Sequence, residues 1–65
     1  MIKEGDKVVI EWSDSREEGT VKKAVRIAGW ILVLQKDEAD PNSLFYYSER
    51  EHGGKIVSVN GKAVE

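Results

Sequence analysis

The chain has 65 residues, 40% of them hydrophobic and 34% charged, a balance that fits one small globular domain and excludes a disordered chain. Its formal net charge is −2, whereas strong non-specific nucleic-acid binders carry a clear cationic excess, so that class is disfavoured. With no cysteine there is neither a disulfide framework nor a thiolate zinc site, which fits a reducing, cytoplasmic setting. No apolar run nears the ~20 residues of a membrane-spanning helix, and residues 1–5 show no signal-peptide pattern, so no membrane association is expected. Residues 1–36 hold seven basic and six acidic side chains, and residues 37–65 hold three and six. Any basic surface therefore belongs to the first half.

In chain order, residues 4–6 read as a turn leading into a first strand over residues 7–12, where Val8, Ile10 and Trp12 alternate with Val9 and Glu11. Residues 13–19 read as a polar loop. A second strand is predicted over residues 20–27, with Val21, Val25 and Ile27 on one face and Lys22 and Arg26 on the other. Lys23 interrupts the inward face, which predicts a bulge or a strong bend. Ala28 and Gly29 turn the chain into a third strand over residues 30–36. Residues 37–43 form the longest loop, with a candidate helical turn at residues 41–43. A fourth strand covers residues 44–48, a turn residues 50–54, and a fifth strand residues 55–59. Asn60-Gly61 is a two-residue hairpin signal, because both central residues of a type I′ turn need φ > 0, so residues 62–64 can return as a short last strand. No segment shows a helical period over ten or more residues, and short turn-punctuated strands throughout predict an all-β small barrel.

Three stretches carry a family resemblance. Gly5-Asp6-Lys7-Val8-Val9-Ile10, then Glu18-Gly19-Thr20-Val21, then Ile31-Leu32-Val33-Leu34 resembles the KOW-type and Tudor-like branch of SH3-like barrels. That resemblance implies a five-stranded SH3-like barrel of strongly bent antiparallel strands, one domain over residues 1–65, whose relatives bind RNA, ribosomal partners or modified tails. The basic, glycine-rich loop of the ribosomal members is missing between the first two strands. Residues 5–11, 40–45 and 54–60 are also similar to a family of short uncharacterised proteins of cyanobacteria and their phages, which implies no function. Residues 54–64 look like the hairpin of PDZ domains, but such a domain needs a following helix for which no room is left before Glu65.

His52, flanked by Glu49 and Glu51, has the residue type of a general base or metal ligand, but a lone imidazole in a turn reads better as solvated. Asp37, Glu38 and Asp40 lack the alternating spacing and glycine of a calcium loop. The serines carry no nucleophile signature, and there is no phosphate-cradling glycine loop. No catalytic residue, metal or cofactor is therefore expected, and the chain is not expected to be an enzyme.

Lys22, Lys23 and Arg26, with Lys36 nearby, form the main basic concentration, which suits phosphates or an acidic protein, or equally a solvated strand face. Aromatics are the richer set. Trp30, Phe45 and one tyrosine are expected in the core. Because Phe45 and Tyr47 share a strand face, Tyr46 and Leu44 should lie outside. The leading expectation is a non-catalytic module that binds a protein or peptide through Tyr46, Leu44 and Trp12 and the loops at residues 13–19 and 37–43. The alternative is a nucleic-acid-associated KOW-type barrel using Lys22, Lys23 and Arg26. A homodimer is a third arrangement, since residues 30–34 are apolar on both faces.

Overall fold

The computed structural model describes residues 2–64 apart from the side chain of His52, so the reading of that imidazole lies outside the described residues. Among the described residues six strands are present: β1 (Lys7–Glu11), β2 (Arg16–Arg26), β3 (Trp30–Gln35), β4 (Leu44–Ser48), β5 (Lys55–Val59) and β6 (Lys62–Ala63). A short helix, α1 (Glu49–His52), joins β4 to β5. The strands form one antiparallel sheet in the order β4-β3-β2-β1-β5-β6, which is not closed. The fold is therefore all-β, with six strands in place of the expected five. The extra strand is the short return after Asn60 (φ 53°) and Gly61 (φ 82°), both in the left-handed region a two-residue hairpin requires.

Two further expectations are corrected. The helical turn lies at Glu49–His52, and residues 41–43 form a turn of another kind. β2 begins at Arg16, inside what reads as a loop, because polar Arg16, Glu17 and Glu18 are paired opposite Glu11, Ile10 and Val9 of β1. A polar strand end of this kind carries no hydrophobic signal; cross-strand bonds hold it, together with an Arg16–Glu11 ion pair at 2.7 Å.

The inward faces of the strands, with Ile2 and Trp12 on either side of β1, supply the core: Ile2, Val8, Ile10, Val21, Leu32, Leu34 and Tyr47 are buried, with Trp12, Ala24, Trp30, Phe45, Ile56 and Val59 packed around them. In β2 the pairing shifts between Val21 and Lys23. Val21 opposes Leu34 and faces inward, and after the bulge Ala24 opposes Leu32. Side chains alternate strictly along a strand, so uninterrupted pairing would have set Lys23 against Leu32 in the core; the extra residue keeps the ammonium outside. The same shift reverses Val25 and Ile27, which were expected inward. Val25 opposes Ile31 on the outer face, and Ile27 is 68% exposed.

A polar clasp ties the first turn to the last hairpin. Asp6 is nearly buried, and its carboxylate accepts from the Lys3 N–H (3.0 Å) and the Asn60 side-chain amide (3.0 Å). Asn60 in turn accepts from the Lys7 N–H at 2.9 Å. These hydrogen bonds, that from Asn60 foremost, hold the Asp6 carboxyl below its ordinary pKa. The Gly5-Asp6 turn is also bound to β2, since the Val21 N–H donates to the Asp6 carbonyl at 2.8 Å.

Candidate functional site

Between the 12–15 turn and the 37–43 loop lies a groove of about 470 Å³ lined by Trp12, Ser15, Glu17, Lys36, Ser43, Leu44 and Phe45. Its floor is aromatic because two glycines let rings lie on the backbone. A Cβ at Gly19 would come within 2.9 Å of the Phe45 ring, and one at Gly54 within 2.7 Å of the Trp12 indole nitrogen. Trp12 also meets Tyr47 edge to face, with centroids 6.3 Å apart at 80°. Tyr47 is fully buried, and its hydroxyl donates to the Gly54 carbonyl at 2.7 Å. That burial, with the nearby Glu49 charge, pushes the Tyr47 phenol above its ordinary pKa. Trp12 is thus braced from beneath while one side of its ring meets the groove.

The groove walls are polar and held in place. Lys36 pairs with Glu17 at 3.1 Å across the space between β2 and the end of β3. The 37–43 loop is closed on itself: Gln35 Nε2 donates to the carbonyls of Asp37 (3.2 Å) and Asp40 (3.0 Å). Ser43 Oγ lies 2.8 and 2.7 Å from those carbonyls, sharing its one proton between them, and accepts from the Asp37 N–H at 3.0 Å. The Asp37 and Asp40 carboxylates accept from the Ala39 and Asn42 N–H groups, so this acidic loop is organised by its own backbone. Among the described residues no group of three His, Cys, Asp or Glu side chains could hold a metal ion.

Of the residues singled out for partner binding, Trp12 and Leu44 meet in this groove. Tyr46 does not. It is 53% exposed on the outer face of the sheet, opposite Val33, which in turn opposes Lys23. Lys22 and Lys23 are both exposed at the bulge, whereas Arg26 stands apart with its guanidinium 5.3 Å from the centre of the Trp30 ring. Lys36 belongs to the groove and its ion pair with Glu17. Ser15, Glu17 and Ser43 come from the two loops expected to bind, whereas Phe45, expected in the core, and Lys36, expected beside the basic set, were not anticipated as groove residues. Gly19 lies within β2 in the structure, and a glycine inside a strand often marks a ring lying close to the backbone, but its place at the end of the expected loop hid that signal.

A wider groove of about 640 Å³ runs along the open side of the sheet, between Arg26, Trp30 and Glu49 on one wall and Ile56, Val57, Val59 and Val64 on the other. Glu49 there accepts from the Trp30 N–H at 2.8 Å, docking α1 against the start of β3. No helix among the described residues is long and apolar enough to cross a membrane. Comparison with known proteins finds no matching family model, curated protein or solved structure.

Proposed function

We propose that the chain is a non-catalytic interaction module that holds a segment of another protein in the groove between the 12–15 turn and the 37–43 loop. The observation that carries this reading is a braced aromatic floor, Trp12 and Phe45, beneath an exposed aliphatic rim, Leu44. Rigid aromatics give contact area at low entropic cost, and a self-bonded loop loses little freedom on binding. Ser43 has its hydroxyl committed to backbone carbonyls and no base beside it, which suits binding more than catalysis. The barrel reading belongs here too: β1 pairs with both β2 and β5, so the first and fifth strands are neighbours, and the bent β2 carries the sheet around the core. That arrangement suits an SH3-like barrel with β6 as an appendage. The cysteine-free composition suits a cytoplasmic setting.

Amide mapping by NMR with peptides selected on the folded chain tests the groove. The largest shifts are expected at Trp12, Ser15, Ser43, Leu44 and Phe45, with roughly tenfold weaker binding in Leu44→Ala. A selected set in which no peptide shifts these amides and none weakens in Leu44→Ala contradicts the reading. The second reading, a KOW-type nucleic-acid partner, is favoured by the adjacent exposed Lys22 and Lys23 and opposed by the net charge of −2. It requires oligonucleotide binding that weakens steeply with salt.

A further inference from the structure

β2 changes partners along its length. Residues Arg16 to Thr20 pair with β1, and the Val21 N–H and carbonyl bond to Asp6 and Gly5. Beyond that point only β3 lies beside it, through Lys23 to Arg26. Among the described residues, no strand borders residues 22–26 on the side away from β3, although β2 is an inner strand of the sheet. The 640 Å³ groove opens at this end, with Arg26 in its wall. On the adjoining outer face, Lys23, Val33 and Tyr46 form one cross-strand row and Val25, Ile31 and Ser48 the next. Neither row contains an acidic side chain.

We infer that this free edge of β2 takes up an extended, acidic segment of another polypeptide as an added strand. Main-chain pairing supplies the attraction at an open edge, and the side chains beside it supply the choice of partner. Here that choice is set by charge. Antiparallel pairing of two copies about Ala24 would put Lys22 opposite Arg26, and parallel pairing would put lysine opposite lysine; like charges directly across a strand pair are unfavourable. Edge cations therefore disfavour a second copy while admitting a strand whose outward-facing positions carry Asp or Glu beside Lys23 and, two positions along, an apolar residue beside Val25 and Ile31. The aliphatic surface favours a polypeptide over nucleic acid, which would use phosphate contacts and stacked bases.

The test uses a phage-displayed library of random 12-residue peptides selected on the whole chain, on Lys22→Glu/Lys23→Glu and on Leu44→Ala. The expected result is a set of acid-rich peptides with an apolar residue two positions from an acid, whose enrichment falls about tenfold on the double variant and persists on Leu44→Ala. With the selected peptide bound, backbone amides within residues 22–26 should exchange at least about tenfold more slowly. Lys22→Gln/Lys23→Gln, which removes charge without reversing it, should fall between, with both variants matching wild type in thermal unfolding. Selected peptides poor in acids, enrichment retained on the double variant, or unchanged exchange at residues 22–26 would overturn the proposal. So would a 12-residue uridine oligonucleotide binding more tightly than any selected peptide, or self-association of the chain through this edge. Failure of the groove shows instead as Leu44→Ala indifference among other peptides, so the two readings fail separately.

Discussion

The two halves of β2 obey different rules although they form one strand. Before Lys22, Gly19 and Val21 are closely packed: Gly19 lies beneath the Phe45 ring and Val21 against Leu34. After it, the inward place falls to Ala24, while the larger Val25 and Ile27 turn outward. A single extra residue thus moves two β-branched side chains from a predicted core to the surface and keeps a lysine out of it. Local hydrophobicity does not decide the face; the phase of the pairing does. The first half helps build the recessed floor of the groove, and the second leaves an open edge flanked by cations.

The largest effect expected from breaking the packed half is at its neighbour beneath the groove. Tyr47→Ala should cost about 3–5 kcal/mol in chemical denaturation, as removal of a buried aromatic does, and should loosen Trp12 as well. Val21→Ala should cost about 2 kcal/mol against under about 0.5 for Val25→Ala, although alternation read from the sequence makes the two equivalent. Similar losses for both would mean that the bulge does not reset the strand. Gly61→Val should cost about 1–2 kcal/mol, since its surroundings leave room for a side chain and only the left-handed φ opposes one.

The pH response sharpens the same contrast, because the clasp holds only the first half of β2. Asp6 has a lowered pKa, so its contribution is complete above the ordinary carboxylate value of 3.8 and is lost as pH falls from there through the folded value. Acid unfolding monitored by circular dichroism should therefore shift to higher pH in Asn60→Ala. Tyr47 behaves oppositely: its raised pKa preserves the neutral phenol, and stability should fall as pH climbs past 10. The smallest effect is expected at Tyr46→Ala, under about 0.5 kcal/mol, since that ring is half exposed on the outer face.

Much of the strand map was legible because apolar runs end at hard turns. The bounds of β4 and β5 follow from their aromatic and β-branched residues, and the exposure of Leu44 and Tyr46 follows from placing Phe45 inward. The start of β2 was hidden because Arg16, Glu17 and Glu18 owe their strand to pairing with β1. The four residues of α1 are too few to show a helical period, and their position is fixed by a Glu49–Trp30 hydrogen bond across 19 residues. Lys23 announced a bulge, but only the observed register shows which residues it turned over. The groove was half legible: Trp12 and Leu44 were named, while Glu17 and Lys36 meet through sheet topology that no local spacing encodes.

The reversal across the bulge can be measured directly because the chain has no cysteine to interfere. Single cysteines at positions 21, 23, 25 and 27 report on the faces of β2 through their rates of labelling by a soluble thiol reagent under native conditions. Strong protection is expected at position 21 alone, with positions 23, 25 and 27 labelled readily. Protection shared by positions 21, 25 and 27, with position 23 alone reactive, would contradict the reversal.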